Sequence, residues 1–346
     1  MKIIIVSGFL GSGKTTFIEK LSKKLDDAAI LENDYAKANV DKDLLKNTGK
    51  EILSLEEGCI CCSKQKDFAT TVMSIENTIN PEYLIIEPTG LGYLSKIIDN
   101  ISPIEYEKIK ILKPIAIVDY YSIDKIMGEY KELFLDQIQN SSYILLSKTE
   151  NISTEKIEKE AKKLEDLTKA KVFTSHYNDF DKKEWDSLIG EYDKESLIRG
   201  DYKHLHFDNL AYENVVFKDF NELGTNFNAV CQNRFGKLIR AKGLVNVEDK
   251  KVKVDVVDNK FSVEKYEGES FTNSLIFIGE NLEEKSFDIL FKKWLKEAQR
   301  LLFLWKFSKT KKSIIIILRS YYGYIYCWGW QKNMWGAFFS AWAFGI

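Results

Sequence analysis

An apolar run, Ile3-Ile4-Ile5-Val6, leads straight into Gly8-Phe9-Leu10-Gly11-Ser12-Gly13-Lys14-Thr15, and an amphipathic stretch follows at once. The octapeptide fits the pattern GxxxxGK[ST], and strand, loop, helix is the order in which that pattern has physical meaning. Glycines let successive backbone N–H groups converge on phosphate oxygens, and the first turn of the helix adds partial positive charge. Gly8, Gly11, Ser12, Gly13, Lys14, Thr15 and Thr16 are therefore the candidate nucleotide-binding residues of this segment. Lys14 is placed to reach the β- and γ-phosphates, and the Thr15 hydroxyl to bind Mg²⁺. Such a loop sits at the carboxyl end of a strand in an open, mostly parallel sheet, which narrows the choice of fold more than any other feature of the chain.

The rest of the first half agrees. Short, continuously apolar runs at 29–31, 83–86, 115–118 and 143–146, with a weaker one at 172–173, read as strands buried on both faces. Helical patterns separate them; Phe17, Ile18, Leu21 and Leu25 make one apolar stripe. Alternation of this kind predicts βαβ units. From 203 the pattern changes to polar–apolar alternation, as in Lys251-Val252-Lys253-Val254-Asp255-Val256, with further strands expected at 237–247 and 274–278. Asn281 reads as a helix cap with Glu284 three residues on. The expected fold class is α/β, a doubly wound P-loop nucleoside-triphosphatase sheet with a second, smaller α+β domain. The divisions are residues 1–176, a charged linker with a short helix at 177–202, the second domain at 203–297, and an atypical tail at 298–346.

Polar residues at predicted strand ends supply the remaining candidates. Glu87, in Glu87-Pro88-Thr89-Gly90, closes a strand beside the phosphate loop and is placed to hold Mg²⁺ through water or to orient an attacking water. Gly90 can offer its N–H to a γ-phosphate. Asp34 follows the second strand and is a similar acidic candidate, so Lys14, Glu87 and Asp34 form the expected catalytic set. Ser147-Lys148-Thr149-Glu150 closes the strand at 143–146. A carboxylate at Glu150 can accept from guanine N1–H and N2–H₂, a donor pair that adenine lacks. The usual guanine-reading sequence is NKxD, so Ser147 and Glu150 are departures from it.

Three of the five cysteines fall within four residues, in Gly58-Cys59-Ile60-Cys61-Cys62. In a chain of 346 residues this suggests metal or redox chemistry in place of a disulfide framework. Thiolates at Cys59, Cys61 and Cys62 suit Zn²⁺, with Co²⁺ or another divalent transition metal as alternatives, and an incomplete ligand shell suits a metal that moves. Glu32 is a candidate for a fourth position. Cys231 stands alone and reads as core. The first 300 residues carry 44 basic against 52 acidic side chains, which argues against nucleic acid as a partner. The apolar start is too short, and too quickly followed by Lys14, for a signal peptide, so a cytoplasmic protein is expected.

The phosphate loop, the Gly58-Cys59-Ile60-Cys61-Cys62 motif, the Glu87-Pro88-Thr89-Gly90 turn and the Ser147–Glu150 element, in that order, resemble the CobW/HypB/UreG family of P-loop GTPases, and the cysteines its CobW-like branch. Gly236-Lys237-Leu238-Ile239-Arg240-Ala241-Lys242-Gly243 is similar to the CobW C-terminal domain. The resemblance implies a GTP-hydrolysing metallochaperone that uses Mg²⁺ with GTP, binds metal at the cysteines and passes it to a client metalloprotein. It also implies a place for Asp34 near Mg²⁺. The linker lacks the histidine-rich stretch of many members. Two other readings stay open: a P-loop small-molecule kinase, and a metal sensor or buffer whose nucleotide only sets conformation. Oligomeric state stays open as well.

Residues 301–346 hold 14 aromatic and six basic residues and no acid, unlike anything before them. Their uncharged runs of 12 and 14 residues fall short of the ~17–25 needed to span a bilayer. A membrane-surface segment, a partner-binding patch and an altered reading frame at the gene's end are the three readings; the lack of acids and of patterning favours the last. The tail is expected to lie outside the hydrolytic mechanism.

Overall fold

A computed structural model describes residues 1–32, 49–54, 65–200, 205–268 and 271–292. Residues 1–287 form one compact unit. Asp34, Cys59, Cys61, Cys62 and the tail from 293 onward lie outside the described residues.

The first sheet contains β1 (Lys2–Ser7), β2 (Ala28–Glu32), β3 (Glu51–Ser54), β4 (Tyr83–Glu87), β5 (Lys110–Ile111), β6 (Ile115–Asp119), β7 (Tyr143–Ser147) and β8 (Lys171–Phe173). Its order is β3-β2-β4-β1-β6-β7-β8, with short β5 also on β1, and the pairings are parallel. The runs are apolar throughout because both faces are covered. On one side Ile3, Ile5, Leu84 and Ile86 pack with Phe68, Val72 and Ile75 of α2 (Gln65–Thr78) and Leu94, Ile97 and Ile98 of α3 (Leu94–Ile101). On the other, Ile4, Val6, Ile30 and Ile117 meet Phe17, Ile18 and Leu21 of α1 (Lys14–Ser22). Helices α4 (Ile123–Glu129), α5 (Lys131–Gln139) and α6 (Thr154–Glu165) cover the β6–β7 side.

Two expectations for the first half of the chain need correction. Glu51–Ser54 is a strand, so Glu87 ends the fourth strand and not the third, and with short Lys110–Ile111 counted as well Ser147 ends the seventh and not the fifth. With two apolar residues at the sheet edge, that strand has none of the signal of a doubly covered one. The stretch read as a charged linker carries Tyr177, Phe180, Trp185 and Leu188 in the same apolar cluster as Phe17, with Trp185 on α7 (Lys182–Ser187). Most of its described charged residues face solvent, and they masked that buried set. A capping box at Asp181 and Glu184 starts the helix: Glu184 N–H donates to Asp181 Oδ1 at 2.8 Å and Asp181 N–H to Glu184 Oε2 at 2.9 Å.

The second sheet holds β9 (Asp208–Glu213), β10 (Val216–Phe217), β11 (Lys237–Val247), β12 (Lys250–Val257), β13 (Lys260–Lys265) and β14 (Ser274–Glu280). Its order is β13-β12-β11-β14-β9, antiparallel, with β10 on β11. Asp258 and Asn259 turn β12 into β13 with φ of 52° and 58°, the left-handed pair that a tight two-residue hairpin needs. One face of the sheet carries an aromatic core: Phe227 of α8 (Phe220–Cys231) and Phe287 of α9 (Glu284–Phe291) flank Phe277, with ring centroids 6.1 and 4.9 Å away. Asn281 is not a cap. It sits at φ 52° in the turn before Glu284, where asparagine tolerates the left-handed conformation.

The opposite face turns toward the phosphate loop. Leu244, Ile276 and Ile278 share an apolar cluster with Phe9, Leu91 and Tyr93. Polar bonds rim this contact: Tyr130 Oη donates to Glu280 Oε1 at 2.6 Å, Lys237 Nζ lies 2.8 Å from Glu129 Oε2, and Lys125 Nζ lies 2.6 Å from Asp258 Oδ1.

Candidate functional site

The carboxyl ends of β1, β4, β6 and β7 meet where chain connections diverge to either side of β1, the usual position of a ligand crevice in an open α/β sheet. The loop after β1 takes the shape its glycines permit. Gly8, Gly11 and Gly13 have φ of 139°, 75° and 93°, conformations that side chains rarely adopt. Gly8 is also closed sterically: a Cβ there would lie 2.2 Å from the Ile117 carbonyl oxygen. Gly13 precedes α1 directly, so the free N–H groups of the first helical turn open onto the loop. Lys14 is buried at 6% exposure, and its ammonium donates to the carbonyls of Gly8 and Phe9 at 3.0 and 3.2 Å. Thr16 is exposed on the same turn.

Thr15 Oγ1 donates to Glu87 Oε1 at 3.1 Å. Glu32 is the register partner of Glu87 across β2 and β4, and only 5% exposed. A hydroxyl and two carboxylates thus line one cleft with Lys14 and Gly90, of about 690 Å³ including space open to solvent. Gly90 is pressed onto the loop: a Cβ would sit 2.5 Å from the Leu10 nitrogen and 2.8 Å from its Cα. Gln137 of α5 clamps this turn, its Nε2 donating to the Gly90 and Gly92 carbonyls at 3.1 Å each.

At the other end of the loop, Ser147 Oγ donates to the Ser12 carbonyl at 2.6 Å and so ties β7 to the phosphate loop. Lys148 sits at φ 60° and its ammonium donates to Asp119 Oδ2 at 2.7 Å. Asp119, 4% exposed at the end of β6, also accepts from the Tyr121 amide and the Ser122 hydroxyl. Glu150 is largely exposed, with Oε1 3.5 Å from His176 Nε2. Burial pushes the His176 imidazole below its usual pKa, against the pull of Glu150 and Asp179. Asp119, Gln137 and His176 escaped the sequence reading. Asp119 had a usable signal, an acid at a strand's carboxyl end; Gln137 and His176 act through distant partners.

Among the described residues no group of three or more His, Cys, Asp or Glu could hold a metal ion. Cys231 is free and buried, and burial pushes its thiol up to about 11. No described helix is long and apolar enough to cross a membrane.

Residues 2–175 match the family model described as CobW/HypB/UreG, nucleotide-binding domain. The chain belongs to the CobW/HypB/UreG family. Residues 217–295 match the CobW C-terminal domain, the region of the second sheet. Among curated relatives, the zinc chaperone YeiR of Escherichia coli K12 is 30% identical over 155 residues, 44% of this chain and 47% of that protein. The zinc chaperone CobW of a Sinorhizobium species is 31% identical over 179 residues, 43% of this chain and 51% of that one. The chain thus spans about half the length of the curated relatives it matches. The crystal structure of Zn(II)-bound YjiA GTPase from E. coli is 20% identical, with a TM-score of 0.41, covering 84% of this chain and 98% of that one.

Proposed function

We propose that the protein is a GTP hydrolase that couples nucleotide turnover to custody of a transition metal, zinc foremost, which it passes to a client metalloprotein. The observation that carries the hydrolase half is the meeting of Lys14, Thr15, Glu87 and Gly90 in one cleft, with Thr15 Oγ1 bonded to Glu87. Family membership supports it, and so do the relatives' names, zinc chaperones and zinc-regulated GTPase metalloprotein activators.

The donor set fits Mg²⁺. Thr15, Glu87 and Glu32 offer hard oxygen ligands, and Mg²⁺ takes one or two carboxylates together with phosphate oxygens. Thr15 and Glu87 would hold the ion, whose part is to neutralise charge on the terminal phosphates. The remaining work falls to the chain. Backbone N–H groups from Gly8 to Thr16 bind the phosphates. Lys14 exchanges its loop carbonyls for β- and γ-oxygens. Glu87 orients the attacking water, and Gly90 offers its N–H to the γ-phosphate, so that hydrolysis is felt at this turn. Asp34, outside the described residues, keeps its proposed place near Mg²⁺. At the base end Glu150 accepts from guanine, while Lys148, held by Asp119, and Ser147 fix the loop that presents it.

Zinc is cargo in this reading. Its proposed ligands Cys59, Cys61 and Cys62 follow β3 in sequence and precede α2, which begins at Gln65, so they belong to the connection between two strands of the nucleotide sheet.

Phosphate release from GTP and ATP by the full chain and by Lys14→Ala tests the hydrolase. The wild type should turn over GTP at an intrinsic rate near ~10⁻⁴ to 10⁻² s⁻¹, with ATP much slower, and Lys14→Ala should abolish it. Equal rates for Lys14→Ala and wild type would refute the assignment.

A further inference from the structure

The cleft at the phosphate loop has a second wall, made by the other sheet. Arg240 and Lys242 on β11 and their partners Ile278 and Ile276 on β14 line the same cleft as Lys14, Thr15, Glu32 and Glu87. Arg240 approaches the loop itself: a Cβ built on Gly11 would lie 3.4 Å from Arg240 Nη1. The guanidinium therefore rests against the backbone whose N–H groups converge on the phosphates.

Three observations mark this as a built arrangement. First, the surrounding face is apolar. Leu244, Ile276 and Ile278 dock onto Phe9 and Leu91, and a guanidinium set in such a face, as Arg240 is, is costly unless it meets negative charge. Second, β11 carries a bulge between Leu238 and Arg240, which shifts the register and sets Arg240 beside Ile278; bulges of this kind re-aim side chains next to active sites. Third, Arg240 is only loosely held. Its side chain is 19% exposed and its Nη2 lies 3.5 Å from Asp255 Oδ2, beyond the ~2.7–2.9 Å of a tight charge-assisted bond. Donors of the fork remain to meet an anion in the cleft.

We propose that Arg240 is a catalytic residue, supplied by the second domain to the γ-phosphate of nucleotide held on the loop, with Lys242 as a second cation on the terminal phosphates. The inference rests on the hydrolase reading above. In the step concerned, a water oxygen bonds to the γ-phosphorus and the bond from that phosphorus to the β,γ-bridging oxygen breaks. Its electron pair stays with GDP, and the proton of the water ends on the released phosphate. Negative charge gathers on the bridging and γ-oxygens, where a guanidinium stabilises the transition state more than the ground state. The second domain is then half of the active site, and hydrolysis depends on its docking.

The test uses the full chain as wild type, Arg240→Ala and Arg240→Lys, with three readouts: steady-state GTP hydrolysis, affinity for GDP, and affinity for GDP with aluminium fluoride, a mimic of the transferring phosphoryl group. Both variants should lose ~10²- to 10³-fold in kcat, the scale of one lost transition-state donor. They should bind GDP as the wild type does and lose the gain that aluminium fluoride gives. Arg240→Lys keeps the stem and charge, so it guards against a packing defect in Arg240→Ala. An active wild type with equally active variants would overturn this proposal alone. So would variants whose loss of hydrolysis follows a parallel loss of GDP affinity, with recovery in Arg240→Lys, since that is a structural role. A wild type without GTP hydrolysis would overturn the hydrolase reading and this proposal with it.

Discussion

Substituting Gly90 by alanine adds one methyl group at the contact between the Glu87–Gly90 turn and the phosphate loop. That methyl would meet the Leu10 nitrogen at 2.5 Å, and Leu10 Cα and the Phe9 carbonyl carbon at 2.8 Å each. All three are backbone atoms, so no side-chain rotation relieves the clash. Ordinary contact begins near ~3.5 Å, so turn and loop must part by roughly 1 Å. Overpacking of this kind costs about 1–3 kcal/mol. The displaced element is the one that cradles phosphate, so the same strain opposes nucleotide binding and should weaken GDP affinity by ~5- to 140-fold at 1.4 kcal/mol per decade. The melting temperature should fall by about 2–4 °C per kcal/mol. Gly224→Ala is the matched control. It lies inside α8 with nothing within 4 Å of the added carbon, and should stabilise by about 0.5–1 kcal/mol through helix propensity. Titration with a fluorescent GDP analogue and thermal melting read both variants. A Gly90→Ala protein that binds and melts like the wild type would show that turn and loop are not in contact as described.

Two further outcomes follow from buried titratable groups. The folded His176 imidazole protonates below its ordinary value of 6.5 because burial disfavours the cation, so the unfolded chain takes up the proton first. The stability this contributes is present above about 6.5 and is lost as pH falls from there toward the depressed folded value; urea midpoints across this window should fall less steeply in His176→Asn, and identical slopes would contradict the burial argument. Cys231, with its thiol pushed up to about 11, should resist iodoacetamide at pH 8 in the folded protein and react once it is denatured, as read by peptide mass spectrometry; rapid labelling of folded protein would be inconsistent with its burial.

How much could be read beforehand depended on how local each signal was. The loop at Gly8–Lys14 and the strands at β1, β6 and β7 were plain because sequence neighbours determine them: glycines for positive φ, unbroken apolar runs for strands covered twice. Glu51–Ser54 was missed because its strand character comes from pairing with Ala29–Glu32 and not from its own residues. Trp185 and Phe180 hid among charges that face solvent while the two rings pack near Phe17. Arg240 is the clearest case. It was legible as part of a stretch similar to CobW C-terminal domains, yet its position against Gly11 is made by a bulge and by the docking of one sheet on another loop. Ser147 likewise looked like a departure from a base-reading motif, whereas its hydroxyl bonds the Ser12 carbonyl.

In the proposed function the triphosphate site governs hold on the metal. Zinc affinity of the reduced full chain, measured by chelator competition, tests it most directly with Mg²⁺ and a non-hydrolysable GTP analogue, with Mg²⁺·GDP, and without nucleotide. Zinc should be held ~5- to 150-fold more tightly with the GTP analogue than with GDP, the usual range of coupling between two sites, and the difference should be abolished in the Cys61→Ser, Cys62→Ser double variant. The same zinc affinity in all three nucleotide states would contradict it.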